Sequence, residues 1–330
     1  MASAPDTAPE FDVVGVGLNA TDTLMIVPEY PPCGGKVPFA QEMLSPGGQV
    51  ATAMAACARL GLRAKYIGTI GDDERGRIQL ESLRGSGVDI THVQQRRNCA
   101  NQSAYIVIDQ SSGERTVFWS RPDCLRISPA EITEDQIACA RMLHIDGHDT
   151  PAVEHAARIA RGRGIPVTVD VDTIYPGFDR VLPYVDYLVA SSTFPHRWTG
   201  IEDPLEALVV LQRQHGMKVS AMTLGEFGAV AWSEGRFCYS PAYAVDCVDT
   251  TGAGDAFHGG FCYALLQQMP LADALDFSNA VAALNCLRIG ARGGLATVEQ
   301  VEQLRAQATA SAVNRRINEV VAARAGAGGL

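Results

Sequence analysis

Near the C-terminus, Asp249-Thr250-Thr251-Gly252-Ala253-Gly254-Asp255-Ala256-Phe257 gathers the residue types of acid–base and anion chemistry at the start of a helix. Gly252 and Gly254 bracket Ala253 just before the small-residue run HGGFCYALL, so successive backbone N–H groups can point at one anion, with the positive end of a helix dipole behind them. Such a turn can hold developing phosphoryl charge. Asp255 falls in the first helical turn, where a carboxylate is favoured and projects toward whatever the amides hold. One group accepts a proton while the other stabilises charge, which is what hydroxyl-to-phosphate transfer requires. For Gly-Ala-Gly-Asp alone, an ordinary helix start with Asp255 as a favourable terminal charge explains the residues equally well.

A second glycine cluster, Gly15-Val16-Gly17-Leu18-Asn19-Ala20, fits the dinucleotide pattern G-x-G-x-x-G/A directly after a strand-like run. Its context argues against that chemistry. The pattern works by seating a pyrophosphate on the helix it opens, whereas β-rich sequence and Pro28, Pro31 and Pro32 follow here.

The elements that must position these residues can be read from periodicity and punctuation. Residues 11–18 predict a strand and 19–27 more β structure. Gly47-Gly48 announces a helix over 49–60 that closes at Gly61. A strand at 66–70, a helix near 74–83 and a hairpin of 103–109 with 114–120 follow. Beyond Met142 the pattern alternates: strands at 143–146, 167–171, 187–190 and 219–223, with helices from Pro151, capped by Thr150, and from Pro204. That alternation calls for a parallel sheet covered on both faces. A hairpin near 233–236 and helices near 253–267, 271–287 and from 297 complete the chain, whose last residues, AARAGAGGL, predict a frayed tail.

Composition narrows the function classes. The 330 residues carry 27 Lys and Arg against 37 Asp and Glu, a net charge of −10, which disfavours a non-specific grip on nucleic acid or anionic lipid. No stretch reaches the roughly 18 consecutive apolar residues of a membrane helix, and MASAPDTAPE has neither a basic start nor an apolar core, so a cytoplasmic protein without membrane contact is expected. The nine cysteines, odd in number and without a C-x-x-C pair, predict no disulfide framework or zinc ribbon, but small core residues in a reducing compartment.

The string around Asp255 resembles the second signature of the ribokinase (PfkB) family of sugar kinases. The likeness recurs in family order over about residues 12–300: Ser45-Pro46-Gly47-Gly48 and Tyr66 to Gly76 resemble the first signature region, and Thr223-Leu224-Gly225-Glu226-Phe227-Gly228-Ala229 resembles the ATP-side T-x-G-x-x-G loop. GERTVFW, VDTTGAGDAFHG and VAALNCLRIGARGG look most like the ketohexokinase and sulfofructose kinase branch. The resemblance implies a ribokinase-like three-layer α/β/α sandwich with a mostly parallel central sheet and a small β-lid. A kinase domain over 11–300 would carry lid segments at about 22–45 and 100–120, with 301–330 a C-terminal helix and tail.

The roles it implies follow by position. Asp255 becomes the general base, and Gly252, Ala253 and Gly254 the anion hole of an ATP-dependent phosphoryl transfer to a sugar hydroxyl. Asn19 and Asp22, with one residue more between them than in ribokinase, match the sugar-binding strand end; Gly48, Gln49 and Thr52 match further sugar contacts, with Gln49 and Thr52 departing from the family residues. Asp146 stands where ribokinase has a substrate-contacting glutamate. Asn19 and Asp22 could instead shape a turn, and Asp146 could cap the next helix. Thr223, Gly225, Gly228 and Asn279 are placed on the ATP side. The family's N-x-x-E glutamate for Mg2+ is missing: aligned on Trp198-Thr199-Gly200, its positions hold Ser191 and Phe194, while His196 and Arg197 read as surface residues. Asp170 and Asp172, alternating at the C-terminal end of a strand, could hold hydrated Mg2+ instead, or could cap a turn or pair with Arg180. Asp249 and the Thr251 carbonyl, with backbone near Arg288 and Gly290, match a K+ loop. The apolar alternation Ala104, Ile106, Ile108, Val117 and Trp119 suggests a homodimer through the lid. Two other functions stay open: a nucleoside kinase, or a non-catalytic nucleotide or sugar sensor.

Overall fold

The computed structural model describes residues 9–111, 115–307 and 321. In chain order its strands are β1 (Val13–Val16), β2 (Ala20–Val27), β3 (Gln41–Gly47), β4 (Ala64–Ile67), β5 (Thr69–Gly71), β6 (Gln94–Arg96), β7 (Ser103–Asp109), β8 (Arg115–Ser120), β9 (Leu143–Ile145), β10 (Val167–Val171), β11 (Tyr187–Ser191), β12 (Val219–Thr223), β13 (Ala229–Ser233) and β14 (Arg236–Ser240). The helices are α1 (Gln49–Arg59), α2 (Glu74–Gly85), α3 (Glu134–Ala138), α4 (Thr150–Gly162), α5 (Phe194–Thr199), α6 (Pro204–His215), α7 (Ala253–Leu266), α8 (Leu271–Asn285) and α9 (Val298–Gln307).

Eight strands form the central sheet in the order β14-β13-β12-β11-β10-β9-β1-β4, parallel except for the β13–β14 hairpin at one edge. Alternation along each strand divides its side chains between two helical layers. Val14, Val16, Ile145 and Leu188 pack with Ala152, Ala156 and Ala160 of α4. Val13 and Ala64 face Val50 and Met54 of α1, while Val189 and Ala221 face Phe257 and Phe261 of α7. The fold is therefore the expected three-layer ribokinase-like sandwich. Small residues bring α1 and α7 close: a Cβ on Gly259 would overlap the Cβ of Ala56, and the Cys57 thiol donates to the Gly259 carbonyl at 3.6 Å.

The two segments expected as a lid form one four-stranded sheet, β3-β2-β7-β8, in which the β2–β3 and β7–β8 pairs are antiparallel and β2 joins β7 in parallel. Strand β2 follows β1 after three residues with no helix between, so the early glycines lack the element a dinucleotide site needs.

Several expectations require correction. Thr150 begins α4 and Asp149 is its N-cap, without a side-chain capping bond; the Asp149 carboxylate is engaged by Arg121 at 2.5 Å and by the Ile127 amide at 3.1 Å. Cysteines 99 and 124 form a disulfide, and Cys33 and Cys247 are exposed, so the nine cysteines are not uniformly reduced core residues. That bond joins the loop after β6 to the turn after β8, a proximity invisible in sequence. Ala104, Ile106 and Ile108 are buried with Leu24 and Ile289 instead of standing open to a second chain. In the C-terminal region, α9 ends at Gln307, Val321 packs in the cluster of Leu208, Met222 and Trp232, and the tail after Val321 lies outside the described residues, as does part of the 110–113 turn.

Candidate active site

The chemistry-bearing residues converge at the C-terminal edge of the parallel strands. A cavity of about 750 Å³ is lined there by Gly252, Ala253, Gly254 and Asp255 from the start of α7, Asp170 and Asp172 from the end of β10, and Gln49 from the start of α1. Its other wall comprises Thr223 at the end of β12, Gly225 and Gly228 just after it, and Asn279 of α8. The expected catalytic and ATP-side residues thus share one space.

Each glycine at this edge has a local reason. Gly252 caps α7 at φ 74, a left-handed conformation, and a Cβ there would strike the Ala291 backbone. Gly228, at φ 93, approaches the Ser240 carbonyl so closely that a side chain would overlap it. The Ala253 amide turns back to the Thr250 carbonyl at 3.2 Å, while Gly254 and Asp255 belong to the first turn of α7, whose amides lack intrahelical partners. The positive end of the α7 dipole therefore opens into the cavity beside a carboxylate.

Electrostatics mark Asp255 as unusual. Desolvation in the cavity, and then the charges of Asp170 and Asp172, raise its pKa to about 7. The two neighbours differ from one another. Burial acts to raise the Asp170 carboxyl, but His258 Nε2, at 3.2 Å, outweighs it and holds Asp170 below its ordinary value; the Gln49 side chain bonds to it as well. Asp172 is raised by burial and by the charge of Asp170. Arg180, which could have paired with them, instead meets Glu154 at 3.3 Å.

The expected sugar contacts form a second group where β1 passes into the lid. Asn19 donates to the Tyr66 hydroxyl at 2.9 Å and to the Thr69 carbonyl at 2.6 Å, leaving its buried Oδ1 without a partner. Asp22 Oδ1 and Gln102 Oε1 are likewise buried and unpartnered. Buried polar atoms of this kind cost free energy unless something satisfies them, and a polyhydroxylated ligand has the donors to do so. Burial raises Asp22 to about 6 and Asp146 to about 7. Asp146 accepts from the Leu18 amide at 2.6 Å and the His148 amide at 2.9 Å, so it organises the β1 end. Gly48 and Thr52 have local structural roles: Gly48, at φ 92, sits where a Cβ would strike the Asn19 backbone, and Thr52 Oγ1 accepts from Arg292 at 3.3 Å. Of the expected sugar residues, only Gln49 lines the large cavity.

Around the α7 cap, Asp249 accepts from the Thr251 amide at 2.9 Å and the Gly290 amide at 2.8 Å, and Asn285 donates to the Thr251 carbonyl at 3.2 Å and the Ala291 carbonyl at 3.1 Å. Asn279 holds the wall expected on the ATP side, donating to the Ser240 carbonyl at 3.0 Å and the Pro241 carbonyl at 3.1 Å. Phe194 is fully buried and stacked on Trp198, so it cannot serve a metal, whereas Ser191 lines the cavity with a buried, unpartnered hydroxyl. Among the described residues, no group of three or more His, Cys, Asp or Glu is arranged to hold a metal ion.

Sequence reasoning missed three residues. His258 lies three positions after Asp255, one turn along α7, and that spacing was a readable signal. Arg292, half-buried near both Asp255 and Asp22, bonds to Thr52, Ser82, Gln79 and the Gly47 carbonyl, and desolvation lowers its pKa to about 10. Arg115 reaches from β8 to Thr250 Oγ1 at 2.6 Å, tying the lid to the α7 turn. A contact across 135 positions leaves no local signal.

Residues 22–298 match the family model described as pfkB family carbohydrate kinase. Ribokinase of Haemophilus influenzae is 28% identical over 295 residues, covering 86% of this chain and 94% of the relative. Fructokinase-1 of Oryza sativa subsp. japonica is 28% identical over 285 residues, covering 79% and 88%. Among solved structures, an Agrobacterium tumefaciens protein provisionally described as a ribokinase superposes with a TM-score of 0.83 at 29% identity, covering 90% of this chain and 98% of that one. An E. coli protein provisionally described as a ribokinase II, with ATP and Mg2+, gives 0.79 at 23% identity over 90% and 100%.

Proposed function

The chain belongs to the pfkB family of carbohydrate kinases, and from that premise we propose that it transfers the γ-phosphoryl of ATP to a hydroxyl of a ketose-like sugar or sugar derivative, with Asp255 as general base. The observation that carries this reading is the shared cavity: Asp255 and the N-terminal amides of α7 face the same space as Thr223, Gly225 and Gly228. A sugar hydroxyl held beside Asp255 loses its proton to a carboxylate whose pKa of about 7 suits both accepting and releasing it. The α7 amides and helix dipole offset charge as the phosphoryl group moves. The lid excludes water from the transfer, with Arg115 and Thr250 joining it to the catalytic turn. Asn19, Asp22 and Asp146 orient the sugar, and the unpartnered Oδ1 atoms of Asn19 and Asp22 fit that task. Intact Asp255 and Gly252-Ala253-Gly254 favour catalysis over a sensor role.

Divalent metal bound to the nucleotide neutralises phosphate charge when present. The residues here fit a mostly water-held Mg2+: Asp172 faces the cavity, while Asp170 is engaged by His258 and Gln49, so Asp172 is the better placed of the pair. A K+ ion would fit the turn held by Asp249 and the Thr251 carbonyl, where the buried Thr251 hydroxyl has no partner.

The test is Asp255→Asn. Removing the base lowers kcat by at least ~10²-fold, the low end for general-base catalysis, while the nucleotide Kd is preserved. Retention of more than about a tenth of wild-type turnover overturns the assignment.

A further inference from the structure

The Cys99–Cys124 disulfide ties the wall of the sugar side to a surface turn. Cys99 is buried in the loop that follows β6, whereas Cys124 lies in an exposed turn, so a soluble thiol can approach one sulfur and not the other. The two anchored segments touch the sugar group from both directions. On the Cys99 side, Asn101 Oδ1 accepts from the Gly71 amide at 3.1 Å and the Gln102 carbonyl accepts from the Thr21 amide at 3.0 Å. On the Cys124 side, the next residue's carbonyl, Leu125, accepts the Thr69 hydroxyl, and the Thr69 carbonyl in turn accepts Asn19 Nδ2 at 2.6 Å. A chain of bonds thus runs from the disulfide to Asn19. The nucleotide wall at β12–β14 and α8 shares none of it.

We propose that Cys99–Cys124 is a reversible thiol–disulfide site through which a dithiol reductant weakens acceptor binding while leaving nucleotide binding unchanged. The proposal rests on the reading of Asn19 as a sugar contact. A reductant thiolate attacks the Cys124 sulfur and displaces the Cys99 thiolate, which takes up a proton; the second reductant thiol then attacks the mixed disulfide, releasing the Cys124 thiol and leaving the reductant oxidised. Two electrons pass from reductant to protein. A disulfide oxidant such as oxidised glutathione reverses the exchange. Where structural disulfides are rare, such bonds more often serve redox sensing. Opening this one frees the turn that fixes Thr69, and through it Asn19.

The experiment compares the full chain oxidised by glutathione disulfide with the chain reduced by dithiothreitol. Peptide mapping without reductant is expected to find the Cys99–Cys124 cross-link in the first sample and not in the second. On reduction the acceptor KM should rise at least about fivefold, the low end of coupling between sites, with the nucleotide Kd constant. Amide exchange in residues 66–72 and 98–127 should rise at the same time, a readout that stands even if no acceptor sugar is identified. Cys99→Ser with Cys124→Ser should hold the high KM and ignore redox state. A missing cross-link, an acceptor KM or exchange pattern indifferent to reduction, or continued redox sensitivity in the double variant overturns the proposal. Faster exchange with an unchanged acceptor KM overturns it at a different step: the bond is labile, but Asn19 is not the sugar contact.

Discussion

At the scale of single residues, the site contrasts three carboxyl groups in one cavity. Asp255 is raised to about 7 by desolvation and then by the charges of Asp170 and Asp172, while His258 holds Asp170 down. A general base works only when ionised. Its raised pKa therefore places an acid limb in the rate profile: kcat/KM should fall as pH drops through about 7 and flatten above it. A stopped assay over that range checks this, and a profile flat down to pH ~5 would remove Asp255 from the role. Asp172 supports a second prediction, because it faces the cavity without the histidine partner that occupies Asp170. Asp172→Asn should raise the Mg2+ concentration for half-maximal rate at saturating ATP, whereas Asp170→Asn should perturb packing around His258 first. If neither variant needs more Mg2+ than wild type, the metal is held by ATP and water alone.

At the scale of elements, the start of α7 is shaped by a loop far away in sequence. Asp249 spends its two oxygens on the Thr251 and Gly290 amides, and Asn285 gathers the Thr251 and Ala291 carbonyls, so the 249–252 turn and the 285–291 segment form one frame. A monovalent cation seated in that frame would hold the α7 amides in their anion-binding arrangement. Activity measured in K+ should then fall when K+ is replaced by a bulky organic cation at constant ionic strength. Unchanged activity would show that hydrogen bonds alone fix the frame.

At the scale of the whole molecule, the lid divides its apolar residues between two uses. Ala104, Ile106 and Ile108 are spent within the chain against Leu24 and Ile289, while β8, at the sheet edge, leaves Val117, Phe118 and Trp119 exposed, Trp119 at 62%. An exposed apolar edge strand is a surface that pairs with another chain. Homodimerisation through β8 is therefore expected, with Phe118→Lys giving monomer in sedimentation. Wild-type monomer at micromolar concentration would refute it. Substituting Ile106 would test packing instead, because it is buried. Among the described residues, no helix is long and apolar enough to cross a membrane.

The sequence by itself determined the alternation of strands and helices, the glycine turn with Asp255 at the head of α7, and the failure of the early glycines as a dinucleotide site. These are local matters: side-chain period, turn chemistry and the order of neighbouring elements are all written in consecutive residues. The ends of strands could also be assigned, which is why Asp170 and Asp172 were placed on the correct edge. What only the tertiary structure decided lies in pairs far apart in the chain. His258 on α7 engages Asp170 of β10, Arg115 reaches the α7 turn, Arg292 bonds to Gly47 of β3 and Gln79 of α2, Cys99 meets Cys124, and Ile106 finds Ile289. Hydrogen bonding, disulfide geometry and apolar burial act over a few ångströms of space and are indifferent to separation along the chain. Residue types and spacing therefore restrict such pairs without selecting them.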